Sequence, residues 1–177
     1  MNFVLVRVDN RLVHGQILET WLPFLGARRI IVVDDDVASD FFRETVIRMA
    51  VPREVEFSVY SVDEFPRSQI ISEKTQKKSI VLFSKIADAL RAYHQGFRFD
   101  RLNVGNIYTE ECVLRCTTSI SLCESDIRDM TRLSQSGVAV ELRSLPKDKA
   151  LDFQEVMKKC DRPEIGGVGN SVRRARQ

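Results

Sequence analysis

The amino-acid sequence predicts an α/β fold, a three-layer arrangement in which a mainly parallel central sheet carries helices on both faces. Short β-branched runs alternate with segments of helical periodicity along the whole chain. Gly, Pro and Ser punctuate the joins between them. Repeated strand-then-helix units of this kind require parallel strands joined by right-handed crossovers. A chain of 177 residues is long enough for one domain that buries about two thirds of its unfolded surface without metal or disulfide staples.

Phe3-Val4-Leu5-Val6-Arg7-Val8 reads as the first strand, and Ile17 to Leu25 as a helix with Leu18, Trp21, Leu22 and Leu25 on one face and Gly26 as its stop. Ile30-Ile31-Val32-Val33 has the composition of a strand buried on both faces. Ser39 is the expected cap of a helix from Asp40 to Ala50, which Pro52 closes. Val55, Phe57 and Val59 alternate as a third strand, and Ser61 with Glu64 forms a capping-box pattern ahead of Pro66. Ile80 to Phe83 is the next strand. Ser84 is the expected cap of a helix from Ile86 to Gln95 that ends at Gly96. Leu102-Asn103-Val104 reads as a strand before a turn at Gly105-Asn106. A strand near Ser119 to Leu122, a helix near Asp126 to Ser134 stopped by Gly137, a strand from Val138 to Leu142 and a helix from Lys147 to Lys159 complete the domain, taken as residues 1–160. Residues 161–177, with Arg173, Arg174 and Arg176, have little apolar periodicity and read as a flexible tail.

The 27 basic and 25 acidic residues leave a formal charge of +2, so no global electrostatic signal points to nucleic acid or an anionic membrane. No apolar stretch approaches the ~20 residues needed to span a bilayer, which argues against direct membrane insertion. Cys112, Cys116, Cys123 and Cys160 contain no C-x2-C pair, and the chain opens without a cationic and apolar signal segment. Reduced thiols in a cytoplasmic protein are the expectation.

In an open parallel sheet, ligands bind beyond the carboxyl ends of the strands. That rule gathers Asp9 to Gln16, Asp34 to Asp36, Ser84 and Lys85, Asn103 to Asn106 and Arg143 to Pro146 onto one rim. His14 is its most reactive member. A neutral imidazole is a competent nucleophile near neutral pH, and one that precedes a helix lies near unpaired backbone N–H groups suited to a phosphoryl group. Arg11 and the helix N-terminus would stabilise the added charge, and Gly15, followed by Gln16, lets the backbone approach closely. Asp9 is the candidate partner of the second ring nitrogen, fixing the tautomer. His94, late in a predicted helix, suits the carbonyl end of that helix instead.

Asp34-Asp35-Asp36 supports either a helix cap or a divalent-cation site; capping is preferred because further hard oxygen ligands are not evident, and no metal or organic cofactor is expected. Within this cluster Asp35 is retained as a rim candidate. Phosphorylation of one of these aspartates, as in a receiver domain, is a further and weaker reading. Ser84 with Lys85 invites a phosphate-contact reading, yet no G-x4-G-K-[ST] loop exists. Asn103 and Gly105 belong either to a tight turn or to the lining of the rim.

With these residues assembled, the sequence resembles the IIB subunit of the mannose/fructose/sorbose family of the bacterial sugar phosphotransferase system. The resemblance is carried by Asp9-Asn10-Arg11-Leu12-Val13-His14-Gly15-Gln16 with Trp21, by Ile31-Val32-Val33-Asp34-Asp35 with Ala38 and Asp40, by Asn103-Val104-Gly105-Asn106 and by Leu145-Pro146-Lys147-Asp148. It covers about residues 1 to 160. Ile107-Tyr108-Thr109-Glu110-Glu111-Cys112 stands where the family commonly has a glycine and basic residues. The resemblance implies a phosphocarrier in which His14 accepts phosphate at Nδ1 from a phosphohistidine of the IIA subunit, beside Arg11, and donates it to a sugar carried by the membrane subunits IIC and IID. It implies a cytoplasmic location, peripheral to the inner membrane through IIC and IID, and leaves sugar identity and oligomeric state open. A regulatory relay through the same His14, without transport, is the alternative.

Overall fold

A computed structural model describes residues 2–160. In chain order it contains β1 (Asn2–Asp9), a π-helical turn (Gln16–Trp21) that continues as α1 (Leu22–Leu25), β2 (Arg29–Val33), α2 (Asp35–Ala38), α3 (Phe41–Ala50) and β3 (Glu56–Tyr60). A 3-10 turn (Phe65–Arg67), α4 (Gln69–Ser72), β4 (Lys78–Phe83), α5 (Ile86–His94) and β5 (Arg101–Asn106) follow. The chain then forms β6 (Leu114–Thr117), β7 (Ile120–Leu122), α6 (Glu124–Gln135), β8 (Ala139–Leu142), β9 (Leu151–Asp152) and α7 (Phe153–Cys160).

Seven strands make one sheet in the order β3-β2-β4-β1-β5-β8-β9. Every neighbouring pair is parallel except β8 with β9. The period-2 alternation of the strands sorts the core into two halves. Ile30 and Val32 of β2 and Ile80 and Leu82 of β4 pack with Trp21, Leu22 and Val37 on one face. Ile31, Val33, Val81 and Phe83 pack with Leu90, Met130, Leu133 and Phe153 on the other. The predicted three-layer α/β architecture is thus observed.

β1 lies between β4 and β5, so the chain first winds outward through β2 and β3, returns to β4, and then crosses β1 to reach β5. The loop leaving β1 therefore stands at the switch point of the sheet, where ligand crevices form.

Several boundaries differ from expectation for identifiable reasons. Asp40, not Ser39, caps α3, its carboxylate accepting from the N–H groups of Phe42 and Arg43 at 3.0 Å each; Ser39 instead ends α2. Ser84 does not cap α5, whose N-cap is Lys85. The helix after the first loop opens as a π-turn, closed by a bond from the Leu22 N–H to the Ile17 carbonyl. Gly105 and Asn106 continue β5 rather than turning. β7 leaves the main sheet and pairs antiparallel with β6, a strand the sequence pattern did not announce. Lys147 to Ala150 are not helical: Leu151 and Asp152 add an antiparallel edge strand to β8 before α7 begins. The expected capping box is present, Ser61 Oγ donating to Glu64 at 2.7 Å, but it opens only the 3-10 turn. The predicted tail from residue 161 lies outside the described residues.

Candidate active site

β1 delivers Asp9 to the rim fully buried. Its carboxylate accepts from the backbone N–H of Arg11 at 3.1 Å and lies 3.4 Å from Arg11 Nε, folding the loop back on the strand end. Leu12 then takes a left-handed backbone, φ 54°, with its side chain buried. That conformation is costly for a residue with a Cβ, and the buried leucine holds it in place. The Leu12 N–H donates to the Asp9 carbonyl at 2.9 Å, and the Leu12 carbonyl is turned toward His14.

His14 Nδ1 lies 2.9 Å from that carbonyl. A carbonyl only accepts, so Nδ1 carries the proton in this arrangement. Nε2 is buried with no hydrogen-bond partner among the described residues, and faces Asp9 Oδ2 at 3.7 Å. The tautomer is therefore fixed by the Leu12 carbonyl rather than by Asp9 as expected. The His14 carbonyl accepts from the N–H groups of both Ile17 and Leu18, which starts the helix directly after the imidazole. Arg11, half exposed, donates to Gln16 Oε1 at 2.9 Å and so links the start of the loop to the first residue of the helix.

Gly15 has ordinary right-handed backbone angles, and a Cβ on it would meet only the end of the flexible Glu19 side chain, at 3.9 Å. The fold does not demand glycine there. Gly105 is the opposite case: a Cβ would fall 1.7 Å from Arg7 Cζ. Its lack of a side chain makes room for a fully buried guanidinium.

Arg7 is the residue that sequence reasoning passed over. It lies on β1 and donates to Asn103 Oδ1, to Asp9 Oδ2 at 3.0 Å, and to the carbonyls of Arg143 and Ser144 at 3.0 and 3.1 Å. It also stands over the Trp21 ring, 5.3 Å from its centroid. Burial pushes its pKa down, against the opposing pull of Asp9. Asn103 serves this buried cation rather than the reactive loop, its amide also donating to Glu141 at 3.0 Å and the Arg143 carbonyl at 3.2 Å. A signal was present: a lone arginine flanked by valines two residues before a strand-ending aspartate, with a downstream Asn-Val-Gly-Asn to receive it. Asn10, also passed over, ties the loop to the neighbouring strand ends through the Asn106 carbonyl and the Tyr108 N–H.

The acidic run after β2 is fully employed. Asp34 caps α2 through the Val37 N–H at 2.9 Å and accepts from Ser84 Oγ. Asp35 accepts from the Val62 N–H at 2.8 Å and pairs with Arg91, while Asp36 pairs with Lys85 at 3.3 Å. Ser84 and Asp35 therefore join rim loops to one another and do not face His14 through any bond described. No group of three or more His, Cys, Asp or Glu suited to a metal ion occurs among the described residues. None of the described helices is long and apolar enough to cross a membrane.

A family model described as PTS system sorbose subfamily IIB component matches residues 3–164. The chain belongs to this IIB family. The fructose-specific EIIB component of the PTS system of Bacillus subtilis is 36% identical over 158 residues, covering 89% of this chain and 97% of that protein. A mannose-specific EIIAB component from Escherichia coli is 28% identical over 89% of this chain, which spans only 49% of that longer protein. Among solved structures, the IIBSor domain of the sorbose permease from Klebsiella pneumoniae superposes with a TM-score of 0.80 at 28% identity, covering 90% of this chain and 98% of that one. This IIB component is accordingly a phosphotransferase of the sugar phosphotransferase system, taking part in phosphoryl transfer during sugar uptake.

Proposed function

We propose that His14 is the phosphoryl carrier of this IIB component, accepting the group from a phosphohistidine of a IIA subunit or domain and passing it to a sugar held by the membrane subunits IIC and IID. The observation that supports this most is the placement of His14 at the sheet's switch point, immediately before a helix N-terminus and sharing the Asp9 carboxylate with Arg11. The protein would act in the cytoplasm, reaching the inner membrane through IIC and IID. It would need no metal or organic cofactor, since positioning and electrostatics supply most of the stabilisation in phosphoryl transfer.

The two ring nitrogens are not equivalent. A phosphoryl group on Nε2 would face the buried Asp9 carboxylate from 3.7 Å, and like charges at that distance repel. Transfer through Nδ1 avoids this. The ring gives up its bond to Leu12, the proton moves to Nε2, and Asp9 there becomes its acceptor. The phosphorus–nitrogen bond of the donor breaks as the bond to Nδ1 forms, and Arg11 with the N–H groups at the helix start receives the charge. Asp9 thus holds Arg7 in the resting state and orients the imidazole in the reactive one.

Labelling from phosphoenolpyruvate through enzyme I, HPr and the cognate IIA tests this reading. Wild type should take up an acid-labile phosphoryl group and His14→Ala none; a label that persists in His14→Ala overturns it. Phosphorus and nitrogen NMR of the labelled protein should place the group on Nδ1.

A further inference from the structure

The polarity of α3 is reversed. Its ten residues include none that is buried, and the side that faces the sheet is held by Ile47 and by the Glu44–Arg48 ion pair. Arg48 donates to the Phe57 carbonyl of β3 at 3.2 Å and lies over the Phe57 ring. The opposite side carries Phe42 at 77% exposure, Val46 at 52% and Met49 at 82%, with Phe41 at 84% alongside. Spacings of four and then three residues put Phe42, Val46 and Met49 on one stripe without a charged member, the pattern of a helix–helix seam.

A surface helix normally turns its apolar stripe to the core. Here the stripe faces outward and is left in water. These four side chains expose on the order of 500 Å² of surface, which matches the largest apolar patch of a typical monomer and, doubled over two copies, reaches the ~1,000 Å² expected of a specific interface.

We propose that α3 is a homodimer interface, packing antiparallel against α3 of a second copy of this chain. The pattern is self-complementary. A two-fold axis passing close to Val46 brings Phe42 of each copy against Met49 of the other, a sulfur–aromatic contact at both ends of the seam. Arg43 flanks the stripe, and the two-fold puts Arg43 of the second copy on the same flank about 7.5 Å along the axis, where both exposed guanidiniums remain in solvent. The interface uses no residue of the His14 loop, so both copies keep their rims accessible.

Sedimentation and light scattering of the full chain over roughly 10 µM to 1 mM test the proposal, a range that covers the weak end of specific association. Wild type should have the mass of two chains, and Phe42→Glu with Met49→Glu should halve it while leaving the circular dichroism spectrum and phosphoryl acceptance on His14 unchanged. Val46→Cys, with the four native cysteines replaced by serine, should cross-link into a covalent dimer under mild oxidation. A monomeric wild type overturns the proposal, as does a dimer that neither the glutamate pair nor the cysteine cross-link affects. A monomer that binds phosphatidylglycerol vesicles and loses that binding in the glutamate pair overturns it in favour of a lipid surface.

Discussion

The loop after β1 and the loop after β2 both leave the carboxyl edge of the sheet crowded with charge, yet they dispose of it differently. After β2, each of Asp34, Asp35 and Asp36 has a cap, an ion pair or both. After β1, Asp9 is buried among two guanidiniums and a backbone N–H, while the imidazole beside it retains a ring nitrogen without a hydrogen-bond partner among the described residues. The acidic run is the more conspicuous in the sequence, but each of its three carboxylates has a partner and it has the character of a joint between loops.

The strongest way to break the contrast is to remove the buried cation. Arg7→Met strands the Asp9 carboxylate in the core and is expected to cost about 3–5 kcal/mol, read by urea unfolding; a loss below ~1 kcal/mol would show that the loop amides alone hold Asp9. Gly105→Ala acts on the same contact from the other side and is expected to cost about 3 kcal/mol. In a double-mutant cycle most of that cost should vanish when Arg7 is already methionine. Arg11→Ala should leave stability nearly unchanged but slow single-turnover phosphoryl transfer on the order of tenfold, since a half-exposed guanidinium contributes through charge at the mouth of the site.

The smallest effect belongs to the second loop. Asp35→Ala should cost about 1 kcal/mol and leave phosphoryl transfer untouched. Burial pushes the Asp35 carboxyl up, but the Val62 N–H and the Arg91 guanidinium outweigh it, holding the group below its ordinary 3.8. Its contribution is therefore complete above about pH 5 and lost as the pH falls through the depressed value, below 3.8. Acid unfolding of wild type and Asp35→Ala should converge in that range.

Much of the frame was legible because its causes are local. Ile30 to Val33 and Ile80 to Phe83 alternate between the two cores as their β-branched and apolar runs predict, and His14 falls where strand-end logic puts it. What stayed hidden depends on partners distant in sequence. Arg7 is only one charged position in the first strand until Asn103, Gly105 and Ser144 are brought around it. Gly105 and Asn106 read as a turn because glycine and asparagine favour turns, yet they extend β5, and Gly105 leaves room there for the Arg7 guanidinium. Lys147 to Asp152 look helical locally, yet the free edge of β8 claims Leu151 and Asp152.

Leu12 has a consequence for the timing of the proposed reaction. Glycine would accept its left-handed backbone at little cost, but glycine has no side chain to anchor in the core. Leucine keeps the carbonyl aimed at the imidazole against the torsional preference of its own backbone. In the proposed reaction each arrival of a phosphoryl group on Nδ1 would break that contact, and each departure would let it re-form. The torsion weighs against the unloaded shape, so it is the burial of the Leu12 side chain that draws the emptied loop back to readiness.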